Sequence, residues 1–240
     1  MLQTNVFLLP ELIPSSDILS GSCSVVIDVL RATTTIVTAL GNQASSIIPA
    51  VTVEQARLTA QRAHGMLGGE RDCIKLEGFD FGNSPAEYTR ELVENQVIAL
   101  TTTNGTRALL ACVEAEQVLV AAFANCSTVS QRIANHPKVN IICAGTNGEI
   151  TLEDTLLAGA LAARRTESVF NDQALLAVDL WRPCEQSGNP EQAIYEKLLT
   201  SRGGKNLQHV GMVSDIRLCA QLDTHSILPT FSHLSNTIQL

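Results

Sequence analysis

VVIDVLRATTTIVTAL, from Val25 to Leu40, is an apolar run that ends in Asp28, Arg31 and three threonines. Val25, Val26 and Ile27 read as a buried strand, and a helix is expected from about Thr33 to Leu40. The junction then presents a carboxylate, a guanidinium and helix-terminal N–H groups to one crevice. Open α/β sheets bind ligands at the carboxyl ends of strands, and helix N-termini favour anions. A capped turn with a surface ion pair would use the same residues, so the rest of the chain must decide between the two.

Downstream the pattern repeats. Ser46 to Ala50 reads as a strand, and Thr52 with Gln55 three places on is a capping box opening a helix that Gly65 would stop. Met66 to Gly69 is a further short strand ending at Glu70-Arg71. Gly68 to Tyr88, GGERDCIKLEGFDFGNSPAEY, is a polar loop long enough to suggest function. It closes on Ser84-Pro85-Ala86-Glu87, a helix start with serine as N-cap. Val97 to Leu100 is apolar and runs into TTTNGTR and a helix to about Glu114. Gln117 to Ala122 is a strand, Asn125 to Asn135 a helix, and Val139 to Ala144 a strand running into Gly145-Thr146-Asn147-Gly148. Thr-Asn-Gly thus follows a strand twice, a weak internal echo.

Upstream, Pro10 to Gly21 is turn-rich. From Thr151 the chain turns helical, with breaks at Pro183, around Gly188 to Pro190 and at Gly203-Gly204, and no strong strand series. The expected fold is α/β: a largely parallel sheet with helices on both faces and a helix-rich C-terminal part. Residues 1–240 are expected to form one compact unit, sheet-forming to about 150 and mainly helical from about 151 to 240.

The 240 residues carry a net charge of −8, which removes any general electrostatic reason to bind nucleic acid or an anionic membrane surface, so an anionic ligand must be held by local charge. With 45% hydrophobic, 17% charged and only 4% aromatic residues, packing falls to small aliphatic side chains. No apolar run is long enough to span a bilayer and no leader pattern opens the chain, so a cytoplasmic location is expected. The seven cysteines form no C-x-x-C pair and read as reduced thiols, which argues against zinc. A homodimer is the default assembly.

The strand ends collect Asp28, Arg31, Glu70, Arg71, Asn83, Ser84, Asn104, Thr106, Arg107, Glu153 and Asp154. Arginines at successive strand-to-helix turns suggest a focused anion site, because a guanidinium fork matches phosphate, sulfonate or carboxylate oxygens. The neighbouring acids would defeat that purpose unless neutralised. Mg²⁺ resolves the conflict, since it takes one or two carboxylates and fills its other positions with water and phosphate oxygens. Asp154, three residues after Thr151, could instead complete a capping box. Other phosphatase signatures fit poorly. Asp28 lacks the second aspartate two places on that haloacid-dehalogenase-type enzymes need, and no Walker loop is present. Cys126 to Arg132 has C-x5-R spacing but no glycines. Cys143 remains an alternative nucleophile.

VVIDVLRATTT, GGERDCIKLEGFDFGNSPAEY, TTTNGTRAL, CAGTNGEITLED and SDIRLCAQLDTHSILP resemble, in this order, the 2-phosphosulfolactate phosphatase family. The resemblance implies hydrolysis of the phosphate ester of 2-phospho-3-sulfolactate, dependence on Mg²⁺, a place in the route to coenzyme M and an α/β fold. It carries over to Asp28, Arg31, Glu70, Arg71, Asn83, Ser84, Asn104, Arg107, Gly145, Glu153 and Asp154. The substrate would crowd about four negative charges onto three carbons. Asp28, Glu70 and one of Glu153 or Asp154 are therefore expected to hold Mg²⁺. Asp28, Arg31, Arg71 and Arg107 are the catalytic candidates, the three arginines dividing the anionic groups. Asn83, Ser84, Asn104, Thr106 and Gly145 are the substrate-binding candidates, with the first three donating to phosphoryl oxygens. Another small phosphorylated acid as substrate, or a noncatalytic anion-binding role, are the competing readings.

Overall fold

The computed structural model describes residues 1–240. Strands and helices alternate through the first part as β1 (Leu2–Phe7), β2 (Cys23–Ile27), α1 (Ala32–Gly41), β3 (Ser46–Ala50), α2 (Val53–Ala63), β4 (Met66–Arg71) and β5 (Ile74–Lys75). Then come α3 (Arg90–Val93), β6 (Val97–Thr101), α4 (Gly105–Leu110), β7 (Gln117–Ala121), α5 (Cys126–Ile133) and β8 (Lys138–Cys143). The remainder is α6 (Leu152–Ala163), β9 (Ser168–Phe170), α7 (Asp172–Glu185), α8 (Pro190–Thr200), α9 (Arg202–His209), α10 (Val213–Cys219), β10 (Thr230–Ser232) and β11 (Thr237–Gln239).

All eleven strands join one sheet in the order β5-β4-β6-β3-β11-β10-β7-β2-β8-β1-β9. Two parallel blocks, β4-β6-β3 and β7-β2-β8-β1-β9, are bridged by the C-terminal hairpin β10–β11, which pairs antiparallel on both sides. The expected α/β fold is thus observed, with a largely parallel sheet. Besides the short strand β5 inside the polar loop, three segments differ from the sequence reading. β1 precedes the turn-rich segment, where no strand was expected. The hairpin and β9 lie in the stretch expected to be helical. Only tertiary pairing reveals them: β9, β10 and β11 have three residues each, too few for a pattern, and β1, although six residues long, is interrupted by polar Gln3, Thr4 and Asn5.

β2 explains the layering. Val25 and Ile27 enter one core with Leu156, Leu161, Trp181, Ile194 and Ile216 from α6, α7, α8 and α10. Val26 enters the other, which it shares with Ile36 and Leu40 of α1, Ala108 and Leu109 of α4, and Ile47 and Ile98 of the β4-β6-β3 block. Helices α1 and α4 therefore pack within a core common to both parallel blocks, and a strand buried on both faces reads as a continuous apolar run. Phe231 and Ile238 of the hairpin enter that same core and seal the join.

Local signals hold in part: the break at Gly188 to Pro190 is observed, whereas Pro183 lies inside α7 and Gly203-Gly204 lie in the first turn of α9 and break neither helix. Thr52 Oγ1 accepts the Gln55 N–H at 3.1 Å, while Gln55 Oε1 reaches back to the Val51 N–H at 2.8 Å. The left-handed residue closing α2 is His64 rather than Gly65. Ser84-Pro85-Ala86-Glu87 opens only a single 3₁₀ turn, and Ser84 caps nothing there. The helix expected to reach Glu114 ends at Leu110. Thr151 precedes α6 without a side-chain cap bond, so Asp154 completes no capping box. No helix is long and apolar enough to cross a membrane.

Gly159 is where α6 meets α7, and a Cβ there would strike the Ala177 carbonyl oxygen and lie 2.9 Å from Trp181 Cβ. Alanine would gain about 1 kcal/mol of helix propensity, but overpacking against backbone costs about 1–3 kcal/mol. Gly159→Ala is therefore expected to lower the urea midpoint; a raised midpoint would contradict this packing.

Candidate active site

The turns after β2, β4, β6 and β8 converge on one cleft. It is an open cleft whose space runs out into solvent, and its lining is almost wholly polar, as suits a small charged ligand. Asp28 and Arg31 line it from the β2 turn, Glu70, Asp72 and Cys73 from the β4–β5 hairpin, and Asn83 from the long loop. Thr102, Thr103 and Asn104 come from the β6 turn, Thr146 and Asn147 from the β8 turn, and Gly203 and Asn206 from α9.

The β2 turn is fastened by its own threonines. Thr33 Oγ1 donates to the Asp28 carbonyl at 2.9 Å and accepts the Asp28 N–H at 3.1 Å, and Thr34 Oγ1 donates to the Val29 carbonyl at 2.9 Å. Thr35 Oγ1 reaches the Asn83 carbonyl at 2.8 Å and ties the long loop to α1. Held this way, the Asp28 carboxylate is buried, accepting the Ala32 N–H at 3.3 Å, with the Gly105 backbone beside it. Gly105 has to lack a side chain, because a Cβ would lie 2.8 Å from Ala32 Cβ and 3.0 Å from Asp28 Oδ2. Burial, reinforced by the charges of Glu70 and Glu153, pushes Asp28 up from 3.8 to about 7.

The other acids divide by role. Glu70 lines the cleft, where its Oε2 accepts the Cys73 N–H at 2.8 Å and its Oε1 accepts from the Thr103 N–H and hydroxyl at 3.2 and 3.1 Å. Glu153 accepts the Gly203 N–H at 3.1 Å through Oε1, while its buried Oε2 has no partner. Burial also raises its pKa. Asp154 is otherwise employed. Its Oδ1 accepts the Val29 N–H at 2.8 Å and its Oδ2 the Gly145 N–H at 3.0 Å, joining the ends of β2 and β8. It lies outside the cleft lining, and burial holds its pKa well above the usual range.

The three arginines do not gather. Arg31 reaches the cleft, but its Nη1 donates to Asp215 Oδ2 at 2.5 Å and its Nη2 to the Cys73 carbonyl at 2.9 Å. Arg71 spends its guanidinium on the Glu70 carbonyl at 2.6 Å and Thr101 Oγ1 at 3.1 Å. Arg107 is exposed in α4, outside the cleft lining. The expectation that three arginines share the anion is therefore replaced by one paired guanidinium at the wall.

Ser84 differs as well, because its hydroxyl proton goes to Asp215 Oδ1 at 2.8 Å and is not available to a phosphoryl oxygen. The Gly145 N–H is committed to Asp154, and Thr106 is buried in α4 outside the lining. Asn83 and Asn104 do line the cleft. Asn104 Oδ1 accepts the Asn147 N–H at 3.1 Å, which leaves its amide N–H groups as donors and brings the two Thr-Asn-Gly segments into contact. Buried Asn83 Oδ1 has no partner. Asp72, Cys73, Asn206 and Asp215 were not among the sequence candidates. A signal existed for Asp215, an acid between apolar Val213 and Ile216 in one of the family-like blocks.

Both cysteine candidates are buried outside the cleft lining. Cys143 is fully buried and its thiol is raised well above its ordinary value. Cys126 is raised to about 11, and Arg132 bonds Gln117 instead. No three histidine, cysteine or acidic side chains converge closely enough to make a full metal cage. The donor set still suits Mg²⁺, which needs only one or two carboxylates and leaves other positions to water and phosphate. Asp28 and Glu70 face one cleft, and the unpartnered Asn83 Oδ1 is a further oxygen donor on its wall.

Fold and cleft together define an α/β protein with a polar, carboxylate-floored ligand site at strand carboxyl ends. The 2-phosphosulpholactate phosphatase family profile matches residues 7–233. A probable 2-phosphosulfolactate phosphatase of Symbiobacterium thermophilum is 40% identical over 228 residues, covering 92% of this chain and 95% of its own length. Proteins with the same name from Thermotoga petrophila and Clostridium perfringens are 38% and 37% identical, covering 89% and 85% of this chain and 94% and 84% of their own lengths. The chain belongs to the 2-phosphosulpholactate phosphatase family, whose name denotes a phosphoric monoester hydrolase.

The raised Asp28 carboxyl sets a pH dependence. Ionising it costs the folded state more than the unfolded chain, a penalty absent below about pH 4, growing towards pH 7 and constant above. Glu153 and Asp154, raised for the same reason, add to it. In EDTA, the thermal midpoint is expected to fall as pH rises from 4 to 7, and Asp28→Asn to flatten that slope. An unchanged slope in the variant would show that Asp28 is not the titrating group.

Proposed function

We propose that this chain hydrolyses the phosphate monoester of 2-phospho-3-sulfolactate to sulfolactate and phosphate, with Mg²⁺ as cofactor. The observation that carries this reading is the charge of the cleft. Asp28, Glu70 and Asp72 line it against a single guanidinium, Arg31, already paired with Asp215. A substrate with about four negative charges would be repelled unless a divalent cation entered with it or before it. Family membership supplies the substrate class, and the cleft accounts for why the substrate would need a metal.

Asp28 and Glu70 would hold Mg²⁺, with Asn83 Oδ1 available beside them. The ion supplies neutralisation of the phosphoryl oxygens and of the acids beneath them. Asn104 donates its amide N–H groups to the substrate. Arg31 directs its remaining N–H groups at the charge that spreads over the phosphoryl oxygens during transfer. Among the carboxylates lining the cleft, Asp72 alone accepts no hydrogen bond from the protein, so it is free to take the proton of the attacking water. Asp154 and Ser84 keep the turns and Asp215 in place without touching the substrate. The product assignment puts the chain in the route to coenzyme M, and a small diffusible polyanion as substrate suits a cytoplasmic enzyme.

Phosphate release from 2-phosphosulfolactate, 2-phospholactate and the phosphoglycerates, assayed side by side, tests this. Phosphosulfolactate is expected to turn over fastest, and EDTA to abolish the activity. Asp28→Asn should lower kcat by roughly 10²-fold or more, whereas Cys143→Ala keeps it. Full turnover in EDTA would remove the metal from the mechanism, and preference for a phosphoglycerate would reassign the substrate. Asp72→Asn should cost about 10²-fold if it is the base; activity near that of the parent would return that role to another group.

A further inference from the structure

Asp215 joins three distant segments. It lies in α10 and is only 3% exposed, as is Arg31, the residue preceding α1. Its Oδ2 takes the Arg31 Nη1 proton at 2.5 Å and its Oδ1 takes the Ser84 hydroxyl proton at 2.8 Å. The Arg31 guanidinium is further fixed by the Cys73 carbonyl at 2.9 Å from Nη2 and by Met212 Sδ at 2.9 Å from Nη1. Three of its five N–H groups are thereby committed, while the side chain still lines the cleft. Asp215 itself does not line it.

Holding α10 against α1 does not by itself call for charge, because an apolar pair of similar volume packs as well or better than a buried ion pair. What the pair alone provides is orientation. A free arginine carries substantial rotamer freedom. Here the carboxylate, a carbonyl and a thioether remove it and leave two N–H groups uncommitted on a side chain that lines the cleft. Preorganised donors of this kind act on charge that develops during reaction rather than on the ground state.

We propose that Asp215 is a positioning residue: it fixes the Arg31 guanidinium for phosphoryl transfer and is itself held by the Ser84 hydroxyl. This rests on the phosphatase reading above. The consequence is a split between kcat and KM. Removing the carboxylate charge leaves the cleft more positive, so anion binding should not weaken, but the guanidinium loses its fixed direction.

The test compares Asp215→Asn, Arg31→Met and the double variant Arg31→Met/Asp215→Leu with the parent, all with Mg²⁺. Asp215→Asn is expected to lower kcat about 10²-fold without raising KM. Inorganic phosphate should bind to it no more weakly by calorimetry. The double variant, which leaves no buried charge unpaired, should fold and be no slower than Arg31→Met alone, the mark of two residues acting as a unit. A kcat for Asp215→Asn within threefold of the parent would overturn the proposal. So would a rise in KM and loss of phosphate binding at unchanged kcat, or additive losses in the double variant. If Asp215→Asn fails to fold, the double variant decides: parent-like kcat in it overturns the proposal. A parent that releases no phosphate from phosphosulfolactate defeats the phosphatase reading instead, while parent-like turnover in the variants defeats only the role of Asp215.

Discussion

Burying the Asp28 carboxylate beside two other acids is the constraint to which the rest of the cleft answers. A lone carboxylate out of water is costly, and neighbouring negative charge adds to the cost. The fold meets part of it with backbone: the Ala32 N–H points at Asp28 with the Gly105 backbone beside it, Thr33 clamps its main chain, and a glycine at 105 lets α4 approach. No protein cation meets the remainder, since Arg31, the only guanidinium at the wall, is paired with Asp215. A site built this way is suited to a ligand that brings positive charge with it.

The same logic separates acids that work from acids that hold. Glu70 keeps lone pairs towards the cleft although three donors steady it. Asp154, with both oxygens on the backbone of β2 and β8 turns, acts as a strut between adjacent strand ends. Asp215 is a strut of another kind, joining side chains instead of main chains. Three carboxylates that look alike in the sequence thus do three jobs, set by what reaches each oxygen.

Arginines show where pattern reading fails. Arg31, Arg71 and Arg107 all lie at or shortly after strand ends, and a single sequence gives no means to tell a guanidinium facing a crevice from one bonded to the preceding residue's carbonyl. Arg71 turns back on Glu70 and Thr101, and Arg107 stays in solvent because its place in α4 points away from the cleft. A long side chain reaches several partners from one backbone position, so its destination depends on packing rather than on local propensity.

What the sequence determined by itself is whatever depends on neighbours along the chain. That includes the buried strand Val25–Ile27, the threonine-fastened turn after it, the capped start of α2, the alternation that dictates a parallel α/β sheet, and the placement of Asp28, Glu70, Asn83 and Asn104 at strand ends or in the loop. Only the tertiary structure decided the rest: the hairpin β10–β11 that joins the two parallel blocks, the recruitment of Asp215 across 184 residues to Arg31, and the sorting of Glu70 into the cleft and Asp154 out of it. The reason is range. Turns and caps are fixed by hydrogen bonds over a few residues, whereas sheet order and ion pairs between remote segments form only where the packed core brings those segments within reach.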